Sequence, residues 1–272
     1  MRKRNEESLA AETTGESGIT DRQFVVALAR GLEVLRAFRP GDGTLGNQEI
    51  AERTGLPKPT VSRLTYTLTR LGHLVYLGRI GKYQLGAPVL SLGYALLANT
   101  DVRRVARPLM QELADYANAS ISLGTRDRLD MVYVEHCRGS AMVTLRLDIG
   151  SHIPLATTAM GRAFLAALPD SERIYLMEAI RARVGSDWPR LRDGIEASLE
   201  EVRQRGFCLS VGDWQSDVHG VAVPFVTVDG STVMAFNCGG PSFLLDHGRM
   251  ESDLGPRLVE LVHNVTALMA RA

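Results

Sequence analysis

Between Arg53 and Thr100 the chain has no aspartate and no glutamate. The whole protein balances 31 basic against 31 acidic side chains, so an acid-free run of 48 residues is an uneven distribution. The same run holds Arg53, Lys58, Arg63, Arg70, Arg79 and Lys82. Residues 101–272 lean the other way, with 18 Arg against 22 acids. One basic segment beside one acidic segment is the pattern of a polyanion-binding module attached to something else. The plainer alternative is ordinary variation between two solvated surfaces. Lysine is almost absent, with three residues against 28 arginines.

Cysteine is also scarce. The three at 137, 208 and 238 are odd in number, and no two have metal-ligand spacing. That argues against a disulfide framework or a zinc module and points to a reducing cytoplasm. No stretch approaches the roughly 18 apolar residues of a membrane-spanning helix, so no membrane partner is expected. The opening "MRKRNEESLAAETTGESGITD" lacks the apolar core of a signal peptide, and residues 1–21 are expected to be a disordered polar tail. A chain of 272 residues, 45% hydrophobic, is too long for one small module and suggests two domains.

The periodicities supply the rest. "QFVVALARGLEVLRAF" (23–38) reads as a helix, with Phe24, Leu28, Leu32 and Leu35 recurring at spacings of three and four. "GNQEIAERTG" is a short helix that Gly55 ends in the left-handed region. "PTVSRLTYTLTRLG" is the next, with Pro59 expected at its first position and Lys58 pushed out of helical geometry before it. Val61, Leu64, Leu68 and Leu71 form its apolar stripe. Thr60, Arg63, Thr67 and Arg70 form a polar one, with Ser62 and Tyr66 at its edges. "LVYLGRIGKYQL" is a hairpin.

Two short helices about a tight glycine turn, then a hairpin, make a winged helix-turn-helix. Its second helix would enter the major groove of double-stranded DNA by its N-terminal end. Lys58, Thr60, Ser62, Arg63, Tyr66 and Thr67 are the candidate contacts on that helix, and Arg79 and Lys82 those on the wing. A connecting helix over 87–100 follows. Residues 101–272 then read as α+β with an antiparallel sheet: a helix from 101, strands "SISLGT", "LDMVYVEHC" and "AMVTLRLD", helices near 158–168, 170–183 and 193–206, strands "FCLSVG", "GVAVPFVTV" and "TVMAFNC", and a last helix from about Asp246. The winged domain is placed at 22–86.

"QEIAERTGLPKPTVSRLTYTLTRLGHLVY", "YQLGAPVLSLGYALL", "DIGSHIPLATTAMGRAFLAAL", "GVAVPFV" and "NCGGPSF" occur in the order found in IclR-type transcriptional regulators, which the chain resembles over 24–272. The resemblance implies a GAF-like second domain that binds a small organic effector, and assembly as homodimers or homotetramers. It places Ala159, Met160 and Gly161 at the segment whose backbone contacts the effector, and Ser210, Gly220, Asn237 and Gly239 in the pocket. This chain departs from the pattern there. Ser210 falls at an acidic position, Gly220 where some members have Cys, and Asn237 and Gly239 where some have Ser. Arg162 replaces the usual lysine. The resemblance therefore does not carry the small keto acid of the best-known members over to this chain.

Bottom-up, "TTAMG" opening a helix offers N–H groups that suit a carboxylate, or forms an ordinary helix cap. At the positions the resemblance places in the pocket, Gly220 and Gly239 leave room for an aromatic or medium-sized dicarboxylic compound, with Asn237 facing its far end. Trp214, Asp213 and His219 either line a pocket or anchor a surface loop. His136 and Cys137, adjacent on a strand, point to opposite faces and make no dyad. No metal site, cofactor or catalytic set is expected, since neither a nucleophile–base pair nor clustered ligands can be found.

Overall fold

A computed structural model describes residues 23–141 and 145–270. The chain divides between Ala98 and Asn99 into two compact units.

In the first unit, α1 (Val26–Arg36), α2 (Asn47–Thr54) and α3 (Lys58–Arg70) precede the antiparallel hairpin of β1 (Leu74–Leu77) and β2 (Lys82–Leu85), and α4 (Ala87–Ala98) closes the unit. Leu45 bridges Tyr83 through two backbone hydrogen bonds, of 2.9 and 2.8 Å, and so adds a third edge to the wing. Val34, Leu45, Ile50, Leu56, Val61 and Leu74 form the core, flanked by Ala51, Leu64 and Leu68. Gly46 caps α2, and its N–H donates to Glu49 Oε2 at 2.7 Å. Gly55, at φ 71°, takes the left-handed conformation that lets the chain reverse into α3.

Two expectations need correction in this unit. Helix α3 begins at Lys58 rather than Pro59. Pro57 (φ −58°, ψ 139°) is the last extended residue, and Pro59 sits in the first turn, where N–H groups have no intrahelical acceptor. Leu71 is exposed, and Thr65 joins Val61 on the buried face of α3 instead. The Thr65 hydroxyl lies 3.0 Å from Val61 O and 3.2 Å from Asn47 Oδ1, so it is buried with its hydrogen bonds made. Part of the apolar surface of α1 is left outward: Val26, Leu28 and Leu32 are exposed, while Val34 is buried and Leu35 packs against the core.

The second unit opens with α5 (Asp101–Ala117). Strands β3 (Ser120–Asp127), β4 (Asp130–Arg138), β5 (His152–Pro154), β6 (Cys208–Val211), β7 (Val218–Val226) and β8 (Val233–Pro241) form one antiparallel sheet in the order β5-β4-β3-β8-β7-β6. Helices α6 (Ala159–Ala167), α7 (Asp170–Val184) and α8 (Trp188–Arg205) lie between β5 and β6 in sequence. One helical turn, His247–Arg249, and a π-helical stretch, Met250–Leu254, lead into α9 (Gly255–Met269). Helices α5 and α9 pack on one face of the sheet and α6 on the other. Of the strand expected at 141–148, residues 142–144 lie outside the described set and 145–148 are not strand; the edge is β5 instead. The tail expected at residues 1–21 also lies outside the described residues.

Candidate functional site

On α3 the side chains of Lys58, Ser62, Arg63, Tyr66, Thr67 and Arg70 are exposed along one side, and Thr60 is half-buried. Arg79 is exposed at the tip of the wing. Among the described residues, no group partners the guanidinium of Arg63, Arg70 or Arg79. The rest of the acid-free run is not acid-free in space. Asp42 folds back onto Arg53, whose Nη2 reaches Asp42 Oδ1 at 3.0 Å while its Nη1 donates to Ala37 O at 2.8 Å. Those bonds hold the Asp42 carboxyl down at about 2. Lys82 Nζ lies 3.0 Å from Glu49 Oε2, which ties the wing to the start of α2. Two of the six basic groups therefore brace the domain, and Lys58, Arg63, Arg70 and Arg79 carry the outward field.

The second unit holds a narrow recess, open to solvent, on the α6 face of the sheet. Its floor is drawn from two rows of residues running across the strands. One row is Arg138–Ser120–Gly239–Gly220–Ser210 and the other His136–Ser122–Asn237–Ala222–Cys208, each set by cross-strand pairing. Side chains alternate between faces along a strand, so residues two apart share this floor. Of the expected effector residues, Ala159, Ser210, Gly220, Asn237 and Gly239 line the cavity.

Met160 and Gly161 are not in the lining. Met160 is fully buried, with its sulfur under Gly124, and Gly161 lies against the backbone of Leu155. The Gly161 N–H is also engaged, donating to the capping hydroxyl of Thr158 at 3.2 Å. The cap and the N–H groups of the first turn thus coexist, and Ala159 is the residue of that turn that meets the cavity.

Several wall residues escaped the sequence reading: Ser120, Ser122, Tyr133, His136 and Thr158. Alternation in "SISLG" marks Ser120 and Ser122 as sharing a face, and it was the available signal. His136 Nδ1 lies 2.7 Å from Ser122 Oγ, and Arg138 Nε donates to His136 Nε2 at 3.2 Å. Burial first, and then the Arg138 charge, hold the His136 pKa below its ordinary value. Burial pushes the Tyr133 hydroxyl up to about 12. The loop "DWQSDVHG" does contribute: Trp214 and His219 line the cavity, and His219 Nδ1 donates to Leu245 O at 2.7 Å. Asp213 is held by the buried Arg162, with 2.7 Å between Nη1 and Oδ2, so helix α6 anchors this loop from below.

Cys137 faces away, its thiol toward Arg107 O, as strand alternation requires. Burial pushes the Cys208 and Cys238 thiols up to about 12, which leaves them inert. No cluster of three potential metal ligands occurs among the described residues. No described helix is long and apolar enough to cross a membrane.

Residues 27–78 match the IclR helix-turn-helix domain, and residues 94–266 match the C-terminal domain of the bacterial transcriptional regulator IclR. The chain is 40% identical over 251 residues to the HTH-type transcriptional regulator TsaQ1/TsaQ2 of Comamonas testosteroni, covering 92% of this chain and 90% of the relative. It is 31% identical to the Pca regulon regulatory protein of Pseudomonas putida, covering 80% and 75%. A crystal structure of an IclR family transcriptional regulator from Brucella abortus superposes with a TM-score of 0.85 at 52% identity, covering 94% and 97%. A crystal structure of an IclR homolog from Microbacterium hydrocarbonoxydans, complexed with 4-hydroxybenzoate, shares the fold at 20% identity with a TM-score of 0.69, covering 90% and 100%. These relatives are regulators, not enzymes, and with both of its domains matched the chain belongs to the IclR family of transcriptional regulators, carrying a DNA-binding helix-turn-helix and a C-terminal effector domain.

Proposed function

We propose that this regulator binds its operator through α3 and the wing, and that a carboxylate-bearing metabolite in the second unit modulates that binding. Arg63, with Lys58, Thr60, Ser62, Tyr66 and Thr67 around it, reads base edges and adjoining phosphates. Arg79 holds the backbone beside the wing, and Lys82, paired with Glu49, braces the wing in place. The effector's acid group lies at the first turn of α6, beside Ala159, where the N–H groups and the helix dipole favour an anion. Its far end meets Asn237, with Gly220 and Gly239 leaving the room between. The observation that carries this reading is the cavity itself: a mostly apolar chamber with a few convergent polar groups. The 4-hydroxybenzoate named for the Microbacterium homolog is an acid of the same general size.

A homodimer is part of the same proposal. Leu28 and Leu32 on α1, and Leu90, Leu92, Tyr94 and Leu96 on α4, are all at least half exposed, and α4 buries no residue. So much apolar surface on two helices of one small unit favours a partner copy. Pairing of dimers into a tetramer through the second unit is the further step. The expected place of action is the cytoplasm.

A thermal-shift screen of metabolites, followed by operator titration, tests the effector reading. A true effector raises the melting temperature and moves the operator affinity in the same concentration range. If acids that raise the melting temperature leave the operator affinity unchanged, the modulating role falls.

A further inference from the structure

We infer that Arg162 and Asp213, neither of which lines the cavity, are positioning residues: their ion pair is a latch that holds Trp214 in the cavity wall and so sets how tightly the cavity keeps its ligand. The ligand half of this statement rests on the effector reading above, and the holding of Trp214 does not.

The latch starts inside α6. Arg162 is only 4% exposed. An arginine keeps its charge wherever it is placed, and a buried cation is tolerated only where acceptors meet it. Nε donates to Ala156 O at 3.0 Å, and Nη1 donates to Asp213 Oδ2 at 2.7 Å. Nη2 lies against Gly194 of α8, where a Cβ would come within 3.0 Å of it. One guanidinium thus ties the segment between β5 and α6 to the loop between β6 and β7, and the missing side chain on α8 gives it room. Its planar fork suits this task, since separate nitrogens serve the two acceptors.

Both tied segments are walls of the cavity. Thr158, two residues after Ala156, lines it, and so does Trp214, next to Asp213. The loop has few other tethers. Gly212 N–H donates to Val218 O and Val218 N–H to Gln215 O, both within the loop and its flanks. Among the described residues, the Asp213 carboxylate makes the only hydrogen bond that joins residues 213–216 to anything beyond 212–218. Trp214 is half-buried and also packs on the apolar cluster that includes Leu155 and Ala159. Packing alone is the rival account of why it stays in place, and the experiment separates the two. Without Asp213 the guanidinium keeps only Ala156 O. A buried charge stripped of its partner draws in water, and the loop then carries its indole away from the wall. Residues that touch a ligand hold their geometry only as well as the groups behind them allow.

The test uses the full-length protein carrying Trp188→Phe, which leaves Trp214 as its one tryptophan. Its fluorescence and its quenching by acrylamide are read without ligand. Asp213→Ala should shift the emission to the red and raise the quenching, and Asp213→Glu, which restores the charge, should bring both back toward the parent. A loss of stability alone would move neither reading in the folded protein. Emission and quenching unchanged by Asp213→Ala would mean that packing holds Trp214, and would overturn the latch. The Asp213 side chain is 38% exposed, so the variant is expected to fold. Should it not, Asp213→Asn, which keeps the size and gives up the charge, carries the same readings. The ligand half is read by calorimetry with an acid taken from the thermal-shift screen. Asp213→Ala should bind it about tenfold more weakly, the loss expected when one aromatic side chain gives up its contact, with ligand-free operator affinity unchanged. A freed Trp214 with parental affinity for the acid would overturn that half. If no acid binds the parent, the effector reading falls and takes the ligand half with it, while the quenching still decides the latch.

Discussion

Replacing Gly161 with alanine separates two roles for that residue, packing and ligand contact. A Cβ built there would lie 2.1 Å from Leu155 O, 2.5 Å from Leu155 Cα and 2.6 Å from Leu155 C. All three are backbone atoms, so no side chain can swing aside, and α6 must retreat from the segment that follows β5. Overpacking of this kind costs about 1–3 kcal/mol, and rigid backbone places it at the upper end. Alanine recovers at most about 1 kcal/mol through its better helix propensity. The net loss is about 2 kcal/mol. For a unit the size of 99–272, that lowers the melting temperature by roughly 4–8 °C. Scanning calorimetry on the full chain without ligand measures it. An unchanged or raised transition would mean that α6 does not rest on Leu155 as described, and Gly161 would return as a candidate ligand contact.

Arg63→Ala should weaken specific operator binding by about 1–3 kcal/mol and relax preference at one base position. Arg79→Ala should weaken binding to all sequences alike and lower the salt slope by about one; gel-shift titrations in which Arg63→Ala behaves as wild type would show that the recognition face lies elsewhere. Gly239→Leu places its Cβ 3.0 Å from Asn237 Nδ2 and drives a large side chain into the cavity. Its ligand-dependent operator release should disappear with DNA binding retained, and release with the wild-type midpoint would move the pocket. Light scattering at micromolar concentration should give a dimer or larger, and a monomer would refute the pairing through α1 and α4. The Asp42 carboxyl is lowered from 3.8 to about 2, so its contribution is complete above pH 3.8 and is lost as the pH falls toward 2. In urea unfolding, Asp42→Asn should be less stable than wild type near neutrality and should show a flatter acid limb; parallel curves would sink this assignment.

The local parts of the architecture were legible because their causes are local. Gly55 and Pro57 shape the turn between α2 and α3 by their own backbone limits, and Val61 and Leu64 face the core of that unit at helical spacing. Charge counted along the chain overstates the basic field. Asp42 and Glu49 precede the acid-free run in sequence yet neutralise Arg53 and Lys82 within it. In the second unit, Ser210, Gly220, Asn237 and Gly239 do meet at the cavity. Ser122, Tyr133 and His136 went unnoticed because their meeting depends on strand register. A shift in pairing between Leu123 and Gly124 gives Leu123 the partner Glu135 and Gly124 the partner Tyr133, passing over Val134. No periodicity in one strand reports that offset. Met160 and Gly161 lie outside the lining for a related reason: the first turn of a helix has a side toward the cavity and a side toward the core, and "TTAMG" alone does not say which is which.

The two rows across the sheet also bear on how such a protein can change. Each strand lends the floor only one or two side chains, and the backbone ladder beneath them does not depend on what those side chains are. Ser120, Ser210, Gly220 and Gly239 can therefore be exchanged one at a time, each exchange redrawing the chamber while the sheet persists. The opposite face allows no such freedom. Its matching row, Cys137–Ile121–Cys238–Val221–Leu209, is buried throughout. A slip of one residue in any strand would trade the two rows, setting polar groups under the helices and apolar ones in the chamber. Descent by point substitution is thus open to this cavity, and descent by insertion within its strands is closed.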